Sequence, residues 1–162
     1  MAFIILPLMI IVLVFAFVLL FGAPFLPTLK KQTVAAFELL DLKPGDTFLE
    51  LGCGDGRVLE YAAKQGIKGI GYEINPFLYI YARARTWRQR KLVAIHLKNY
   101  WKVHLPHCQG IYVFLLDNYM AKLDEKINNE ARGPVRLVSY AFKVPFKKPD
   151  EHKHGMYLYK YE

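Results

Sequence analysis

The chain has 162 residues, which is room for one domain and one small additional segment and excludes a larger multidomain protein. It carries 22 basic and 14 acidic residues, a net charge of +8, which favours an anionic partner such as lipid headgroups or nucleic acid. Its two cysteines, Cys53 and Cys108, give no case for a disulfide framework.

The amino-terminal segment is apolar throughout. Residues 2–29 contain no charged side chain, and residues 3–21 are almost entirely isoleucine, leucine, valine and phenylalanine. About 20 apolar residues are enough to cross the hydrocarbon core of a bilayer. A cleaved signal peptide is the alternative, but no basic residues precede the run, and it exceeds the usual length of about 7–15 residues. The sequence therefore predicts a transmembrane anchor over residues 1–29.

Two lysines set the predicted orientation. Lys30 and Lys31 directly follow the apolar segment, and only the α-amino group precedes it. The positive-inside rule places the N-terminus outside and the remaining residues in the cytoplasm, at a bacterial inner membrane or, in a eukaryote, the mitochondrial inner membrane. The membrane is therefore the predicted partner of the basic surface, and nucleic acid is not expected.

Residues 30–46 are predicted to form an amphipathic connecting helix and a turn between the membrane and the domain. Val34, Phe37 and Leu40 fall on one side of a helix over residues 29–41. Thr28 is a residue type that caps helix starts. The tetrapeptide K-P-G-D that follows has the composition of a turn.

Residues 47–162 alternate strand and helix patterns. This alternation predicts an α/β domain with a mostly parallel sheet of about six strands, covered on both faces and with little or no helix after the fifth strand. The predicted elements are strand 47–51, helix 57–65, strand 68–74, helix 76–90, strand 92–97, strand 110–116, helix 120–129, strand 135–140 and strand 155–161.

The segment F-L-E-L-G-C-G-D-G-R, residues 48–57, carries the strongest functional signal. An apolar strand, glycines at 52, 54 and 56, and a helix-forming run make up the nucleotide-binding corner of an α/β sheet. A dinucleotide fingerprint requires glycines at relative positions 0, 2 and 5, whereas these fall at 0, 2 and 4. With Glu50 two residues before the first glycine, the loop resembles motif I of class I S-adenosylmethionine (SAM) methyltransferases. A nicotinamide or flavin site and a purely structural turn are the alternatives.

A second acidic residue supports this interpretation. Glu73 ends the next predicted strand, 21 residues after Gly52. A carboxylate at the tip of the neighbouring strand can accept both hydroxyls of an adenosine ribose. The alternative is a solvated strand end.

The helix that follows Glu73 is rich in arginine. Its basic residues are Arg83, Arg85, Arg88, Arg90 and Lys91. Arg83 and Trp87 are i, i+4 neighbours, so the guanidinium is expected to stack on the indole. The helix is either a solvated basic face or a surface that docks lipid or substrate.

The whole pattern resembles a known family, the membrane-anchored protein-lysine methyltransferases that modify the ATP synthase c subunit and the adenine nucleotide translocase. The motifs that carry the resemblance are P-F-L-P-T, the glycine loop, G-Y-E-I-N-P, Y-A-R-A-R-T-W-R and N-Y-W-K-V. The resemblance implies a Rossmann-like class I methyltransferase fold and SAM as cofactor. Asn99 stands where the family usually has aspartate, beside the adenine. By position, it implies SAM contacts at Glu50, Gly52, Cys53, Gly54, Asp55, Gly56, Glu73, Ile74, Asn99 and Tyr100.

The acceptor site is predicted after the fourth strand. Asp117, Asn118 and Tyr119 stand at the carboxyl edge of the sheet, where ligands bind in such folds. Tyr100 and Trp101 are candidate pocket walls. An ordinary helix N-cap by Asp117 or Asn118 is the alternative.

Protein-lysine methylation of a membrane-associated protein is the function that these features favour. Methylation of a membrane-borne lipid or quinone is the first alternative, a nucleic-acid methyltransferase the second, and a non-enzymatic SAM-binding protein the third. No metal is expected, because the histidines near Cys108 and at 152 and 154 lack the paired Cys-x-x-Cys spacing of a zinc module.

Overall fold

The computed structural model describes residues 5–7, 9 and 26–162. The predicted anchor over residues 1–29 therefore lies mostly outside the described residues. Among the residues that are described, no helix is both long enough and apolar enough to span a bilayer.

One sheet of seven strands organises the domain. Its strands are β1 (Thr47–Leu51), β2 (Lys68–Glu73), β3 (Val93–Leu97), β4 (Gly110–Val113), β5 (Val135–Tyr140), β6 (Glu151–Lys153) and β7 (Met156–Tyr161). They lie in the order β3-β2-β1-β4-β5-β7-β6. The first five pair in parallel, and β7 runs antiparallel to both β5 and β6. The predicted α/β, Rossmann-like class is confirmed.

The predicted count of about six strands is wrong, because β6 was missed. Its three residues, Glu151, His152 and Lys153, are all polar and all exposed. A short polar edge strand shows no hydrophobic alternation, so nothing in its sequence separates it from a loop.

Helices cover both faces of the sheet. They are α1 (Lys30–Leu40), α2 (Arg57–Lys64), α3 (Pro76–Arg85) and α4 (Met120–Glu130), with 3-10 turns at Trp87–Gln89, Tyr100–Lys102 and Asp117–Tyr119. Ala36 of α1 and Leu59 of α2 pack with Phe48 in one core. Leu123 of α4 packs with Leu49 in the core of the opposite face. The adjacent positions 48 and 49 thus serve opposite faces, as the twofold period of a strand requires.

Helix α1 is packed on the sheet, and its start differs from the prediction. Ala36 and Leu40 are fully buried, whereas Val34 and Phe37 are only half-buried. Leu29 is the N-cap and makes no side-chain cap bond. The Thr28 hydroxyl, predicted to cap the helix, instead lies 2.9 Å from the Tyr112 hydroxyl on β4. A contact across 84 residues ties the segment before α1 to the centre of the sheet.

Helix α3 is shorter than predicted, and the predicted stacking of Arg83 on Trp87 does not occur. The helix ends at Arg85, and the Thr86 hydroxyl donates to the Ala82 carbonyl at 2.8 Å. The following 3-10 turn breaks the i, i+4 spacing. The guanidinium of Arg83 therefore lies over Tyr79, 5.7 Å from the ring centroid, and that of Arg90 lies over Trp87 at 4.8 Å.

The sheet order places a crevice beside β1. Strand β1 pairs in parallel with β2 on one side and with β4 on the other, and Leu51 is in register with both Tyr72 and Val113. Chain connections leave in opposite directions at such a switch point, and ligands bind outside the carboxyl ends of the strands there. The segments that follow these three residues therefore meet at one edge.

Strand β2 approaches α2 and the glycine loop so closely that Gly71 has no room for a side chain. A Cβ at Gly71 would lie 2.5 Å from Leu59 Cδ1 and 2.9 Å from Cys53 Sγ. A Cβ at Gly69, on the same strand, would meet only Leu59 Cδ2 at 3.0 Å and otherwise make ordinary contacts.

We therefore expect Gly71→Ala to destabilise the domain by about 1–3 kcal/mol through overpacking. The matched variant Gly69→Ala should cost less, because a flexible leucine methyl can give way. Denaturant unfolding of both variants measures the difference. Equal effects of the two substitutions would show that the loop is not packed against Gly71 as described.

Candidate active site

The glycine loop is folded back onto β2. The N–H groups of Gly52 and Cys53 both donate to the Tyr72 carbonyl, at 3.0 and 2.9 Å. Gly52, Gly54 and Gly56 all have positive φ, at 84°, 52° and 75°. A Cβ at Gly56 would come within 3.0 Å of Ala82 on α3, whereas nothing lies within 4 Å of one at Gly52. Gly56 is thus needed for packing, and Gly52 leaves the backbone open to a ligand.

Cys53 packs inward from this loop. Its side chain is 3% exposed and faces Gly71 on β2. Burial raises the pKa of its thiol, so the group stays protonated. The space between the loop and Gly71 suits a small side chain such as this one.

Glu73 joins the loop to β2. One carboxylate oxygen accepts the Gly54 N–H at 2.8 Å, and the other accepts those of Ile74 and Asn75 at 2.9 and 2.8 Å. A carboxylate has about four acceptor positions. The oxygen bonded to Gly54 therefore keeps one position for a donor such as a ribose hydroxyl. The residue is 7% exposed, which argues against a merely solvated strand end.

Glu50 is a buried carboxyl with one oxygen left unpaired. It is 4% exposed, and its Oε2 has no hydrogen-bond partner among the described residues. Burial raises the pKa of Glu50 well above its usual value, and the neighbouring charges of Asp55 and Glu73 raise it further. A buried carboxyl is stabilised as a carboxylate only by a donor or a cation. The site therefore suits a ligand that brings an ammonium group.

Asp55 forms salt bridges with two arginines. Its carboxylate accepts from Arg57 Nη2 at 2.8 Å and from Arg85 Nη2 at 3.0 Å. Burial alone would raise the pKa of Asp55, but these arginines outweigh burial and hold it below the usual value. Arg57 also donates to the Thr28 carbonyl at 3.4 Å. In this structure Asp55 holds the loop to α3 and to the segment before α1.

Three predicted residues lie around the ends of β2 and β3. Ile74 is 42% exposed and offers an apolar surface beside Glu73. Asn99 accepts the Trp101 N–H through Oδ1 at 2.9 Å, and a carbonyl oxygen can accept a second bond. Burial raises the pKa of Tyr100, and the nearby Tyr119 and Glu73 raise it further, so its hydroxyl stays neutral.

The predicted acceptor residues lie at the mouth of the same edge. Asp117, Asn118 and Tyr119 form a 3-10 turn after β4, and all three are exposed. The start of α4 has no side-chain cap bond, so the alternative interpretation as an N-cap is not supported. The Tyr119 ring lies 6.1 Å from Trp101, which lies 4.7 Å from Tyr100. The structure thus joins an aromatic wall to an exposed carboxylate.

Two features of this edge were not predicted. The Lys122 ammonium from α4 lies 4.8 Å from the Trp101 ring centroid, in a cation–π contact. The Thr28–Tyr112 bond places Thr28, the last residue of the P-F-L-P-T motif, next to the strand that carries Glu50. The motif was visible in the sequence, but the contact of Thr28 with β4 depends on the tertiary fold.

The histidines and acidic residues of the described chain do not come together in a metal-holding cluster. In the part of the chain that the structure describes, no three histidine, cysteine, aspartate or glutamate side chains are grouped to hold an ion. His107, one of the residues considered, instead contacts the Arg132 carbonyl at 2.9 Å.

Comparison with known proteins identifies the family. The family described as the ANTKMT methyltransferase domain matches residues 50–151, from the acid of the glycine loop to β6. This chain belongs to that family. The predicted methyltransferase family is confirmed, whereas membrane anchoring remains a prediction.

Curated relatives agree with this placement. The human lysine N-methyltransferase of the ATP synthase c subunit is 31% identical over 129 residues, which cover 78% of this chain and 55% of the human protein. A protein-lysine N-methyltransferase of Saccharolobus islandicus (strain REY15A) is 29% identical, with 84% of this chain and 92% of that protein covered. The chain thus spans about half the length of the human relative and nearly all of the archaeal one.

A solved structure agrees with the fold and with the cofactor. The RNA methyltransferase of Salinibacter ruber in complex with S-adenosylhomocysteine has a TM-score of 0.77 and 26% identity, covering 84% of this chain and 92% of that one. Together with the family match, this similarity confirms the class I methyltransferase fold and SAM as the cofactor of this family. The buried, unpaired Glu50 and the open backbone at Gly52 fit such a cofactor.

The raised pKa of the buried Glu50 predicts a dependence of stability on pH. The folded protein keeps the Glu50 proton at a pH where the unfolded chain, with an ordinary pKa near 4.5, has lost it. Stability should therefore fall as pH rises from that value towards the raised one. Glu50→Gln removes the penalty, so the variant should be more stable than the wild type by about 1–3 kcal/mol at pH 8.

Thermal unfolding between pH 4 and pH 8 measures this difference, which should disappear at the acid end. The same variant should bind SAM at least about tenfold more weakly, because one charge-assisted hydrogen bond is lost. A variant that is less stable than the wild type at pH 8, or that binds SAM equally well, would contradict the assignment.

Proposed function

We propose that the protein is a SAM-dependent protein-lysine N-methyltransferase that acts on a membrane-associated protein. The observation that carries this proposal is the similarity to lysine methyltransferases over most of the chain, including an archaeal one of nearly the same extent. The site is consistent with it, because the glycine loop and the aromatic wall open at the same edge of the sheet.

The chain's own residues divide into those for the cofactor and those for the acceptor. Glu50 would hold the ammonium group of SAM, Glu73 a ribose hydroxyl, and Asn99 the adenine amino group. SAM, when bound, supplies a methyl group on a positively charged sulfur for transfer to a nucleophile. Ile74 would cover one face of the adenine. The bond from the Gly54 N–H to Glu73 keeps the glycine loop in place beside the cofactor.

A lysine acceptor has to lose a proton before its nitrogen can attack. With a free pKa near 10.4, deprotonation at pH 7 costs roughly 4–5 kcal/mol. The Trp101 and Tyr119 rings offer faces that attract an ammonium, and Lys122 already lies over Trp101 in this way. Asp117, exposed at the rim, would orient the amine and take its proton.

The membrane location is part of the proposal. The uncharged run over residues 2–29 and the lysines that follow it support a single-pass anchor with the domain on the cytoplasmic side. The bond between Thr28 and Tyr112 supports a short distance between the anchor and the sheet. A membrane protein is then the substrate with the highest local concentration.

RNA is the second candidate acceptor. The similarity to the Salinibacter structure and the net charge of +8 favour it. The exposed Asp117-Asn118-Tyr119 turn lacks the prolines of the N-P-P-Y loop found in amino-methylating enzymes, which favours a protein acceptor.

Transfer of a radiolabelled methyl group separates these acceptors. The full chain in detergent is incubated with methyl-labelled SAM and with membrane protein, soluble protein, lipid and RNA fractions of cells that lack the gene. The proposal expects label in membrane protein and methylated lysine after acid hydrolysis. Label in RNA or in the lipid fraction, with membrane protein unlabelled, would overturn the lysine assignment while leaving the cofactor intact.

Asp117→Asn tests the acceptor site in the same assay. Loss of a proton acceptor should lower turnover by about 100-fold or more while SAM affinity stays within about twofold. Glu125→Gln is the matched control, since Glu125 is an exposed carboxyl on α4 without a bonding partner among the described residues. Full activity of Asp117→Asn would remove this residue from the reaction.

A further inference from the structure

Helix α3 presents an apolar face to solvent. Phe77, Ile80, Tyr81 and Ala84 follow the spacing i, i+3, i+4, i+7 that normally marks the side packed on a core. Yet only Ala82 of this helix is buried, while Phe77 is 75% exposed, Ile80 63% and Tyr81 55%. Large apolar side chains clustered in this way on a surface mark an interaction site.

A further large apolar side chain is exposed just after the helix. Trp87, in the 3-10 turn Trp87–Gln89, is 60% exposed. We call Phe77, Ile80, Tyr81, Ala84 and Trp87 the α3 stripe.

Cations flank the α3 stripe. Arg83, Arg88, Arg90 and Lys91 are exposed, and none of them has an acidic partner among the described residues. The guanidiniums of Arg83 and Arg90 lie over the rings of Tyr79 and Trp87. Arginine stacked on aromatic rings beside exposed apolar side chains is the composition of a membrane-interface helix.

A relay of hydrogen bonds connects the α3 stripe to the end of the apolar amino-terminal segment. Arg85 contacts both the Tyr81 hydroxyl at 3.4 Å and Asp55 at 3.0 Å. Asp55 binds Arg57, whose Nη1 donates to the Thr28 carbonyl. Next to Thr28, Leu26 and Leu29 are 60% and 61% exposed. A continuous set of contacts therefore links the stripe to the chain that follows residues 2–25.

We propose that the α3 stripe docks the domain onto an anionic bilayer. Its rings and aliphatic side chains lie at the boundary of headgroups and acyl chains, and the flanking arginines contact lipid phosphates. Contact with a phosphate backbone would not remove the exposed Phe77 and Ile80 side chains from water, whereas insertion into a bilayer would. The stripe therefore favours a bilayer over nucleic acid. This inference goes beyond the proposed function and is independent of which acceptor is methylated.

Docking would have a consequence for the site. Helix α3 begins three residues after Glu73, and Gly56 of the loop packs on Ala82 of the same helix. A bilayer in contact with the α3 stripe therefore fixes the distance between the cofactor edge of the sheet and the bilayer surface. If the acceptor is a lysine of a membrane protein, as proposed above, this distance determines which lysines reach the acceptor turn.

The depth of Trp87 in a bilayer tests the proposal. The full chain is reconstituted into vesicles with about one-third phosphatidylglycerol and acyl chains brominated near the headgroup. Trp101→Phe leaves Trp87 as the single tryptophan. Bromine should quench its emission at least about twofold, and the emission should shift to shorter wavelength than in detergent. Since the amino-terminal segment alone could bring the chain to the vesicle, quenching rather than binding is the readout.

Two sets of variants complete the test. A triple variant that carries Arg83→Gln, Arg88→Gln and Arg90→Gln should show no quenching. A control triple variant removes the same charge elsewhere through Lys68→Gln, Lys148→Gln and Lys160→Gln, and it should be quenched as strongly as the parent protein. If the Trp101→Phe protein does not fold, the difference in quenching between the wild type and Trp87→Phe replaces it.

Several outcomes overturn the proposal. Trp87 emission that is the same in brominated and unbrominated vesicles shows that the stripe does not reach the bilayer. Equal quenching in the arginine and lysine variants shows that the flanking cations play no part. A shift of the emission on addition of a uridine oligonucleotide, with no quenching by brominated lipid, assigns the surface to nucleic acid.

Discussion

The site depends on how one carboxylate holds the glycine loop to the end of β2. Glu73 accepts N–H groups from Gly54 on one side and from Ile74 and Asn75 on the other. The Gly54 bond, with those from Gly52 and Cys53 to the Tyr72 carbonyl, fixes the glycine loop against β2 before any ligand arrives, so its ordering costs little free energy at binding. The loop can come this close only because Gly71 has no side chain and because Cys53 fills the space beneath it. The packing between β2 and the glycine loop therefore also determines the shape of the site.

Three acidic side chains lie close together at this edge, and they differ in their hydrogen-bond partners. Backbone N–H groups satisfy Glu73, two arginines satisfy Asp55, and Oε2 of Glu50 is left without a partner in the described part of the chain. The unpaired carboxyl is the group whose charge a cationic ligand would balance. The arginines that serve Asp55 also reach Thr28 and Tyr81, so the cofactor edge, the segment before α1 and the outer face of α3 form one connected unit.

The sequence predicted the parts of this design that are local. The glycine spacing, the acid that ends β2 and the alternation of strands and helices follow from patterns within about 30 residues, and the structure confirms the resulting fold. The errors have one distant and two local causes. Thr28 bonds to Tyr112 instead of capping α1, Arg83 stacks on Tyr79 because Thr86 ends the helix early, and the polar edge strand β6 has no pattern of its own. The roles of Asp117 and Asn99 also depend on what binds, which a sequence pattern cannot specify.

Calorimetric titration of SAM into the full chain in detergent micelles tests the central claim most directly. Wild type is compared with Glu73→Ala, with Glu125→Ala as a control for loss of a carboxylate, and NAD is titrated as the competing nucleotide. The account predicts SAM binding by the wild type and the control, and none by Glu73→Ala. It also predicts no binding of NAD. Unchanged SAM binding by a folded Glu73→Ala variant, or binding of NAD in place of SAM, would contradict it.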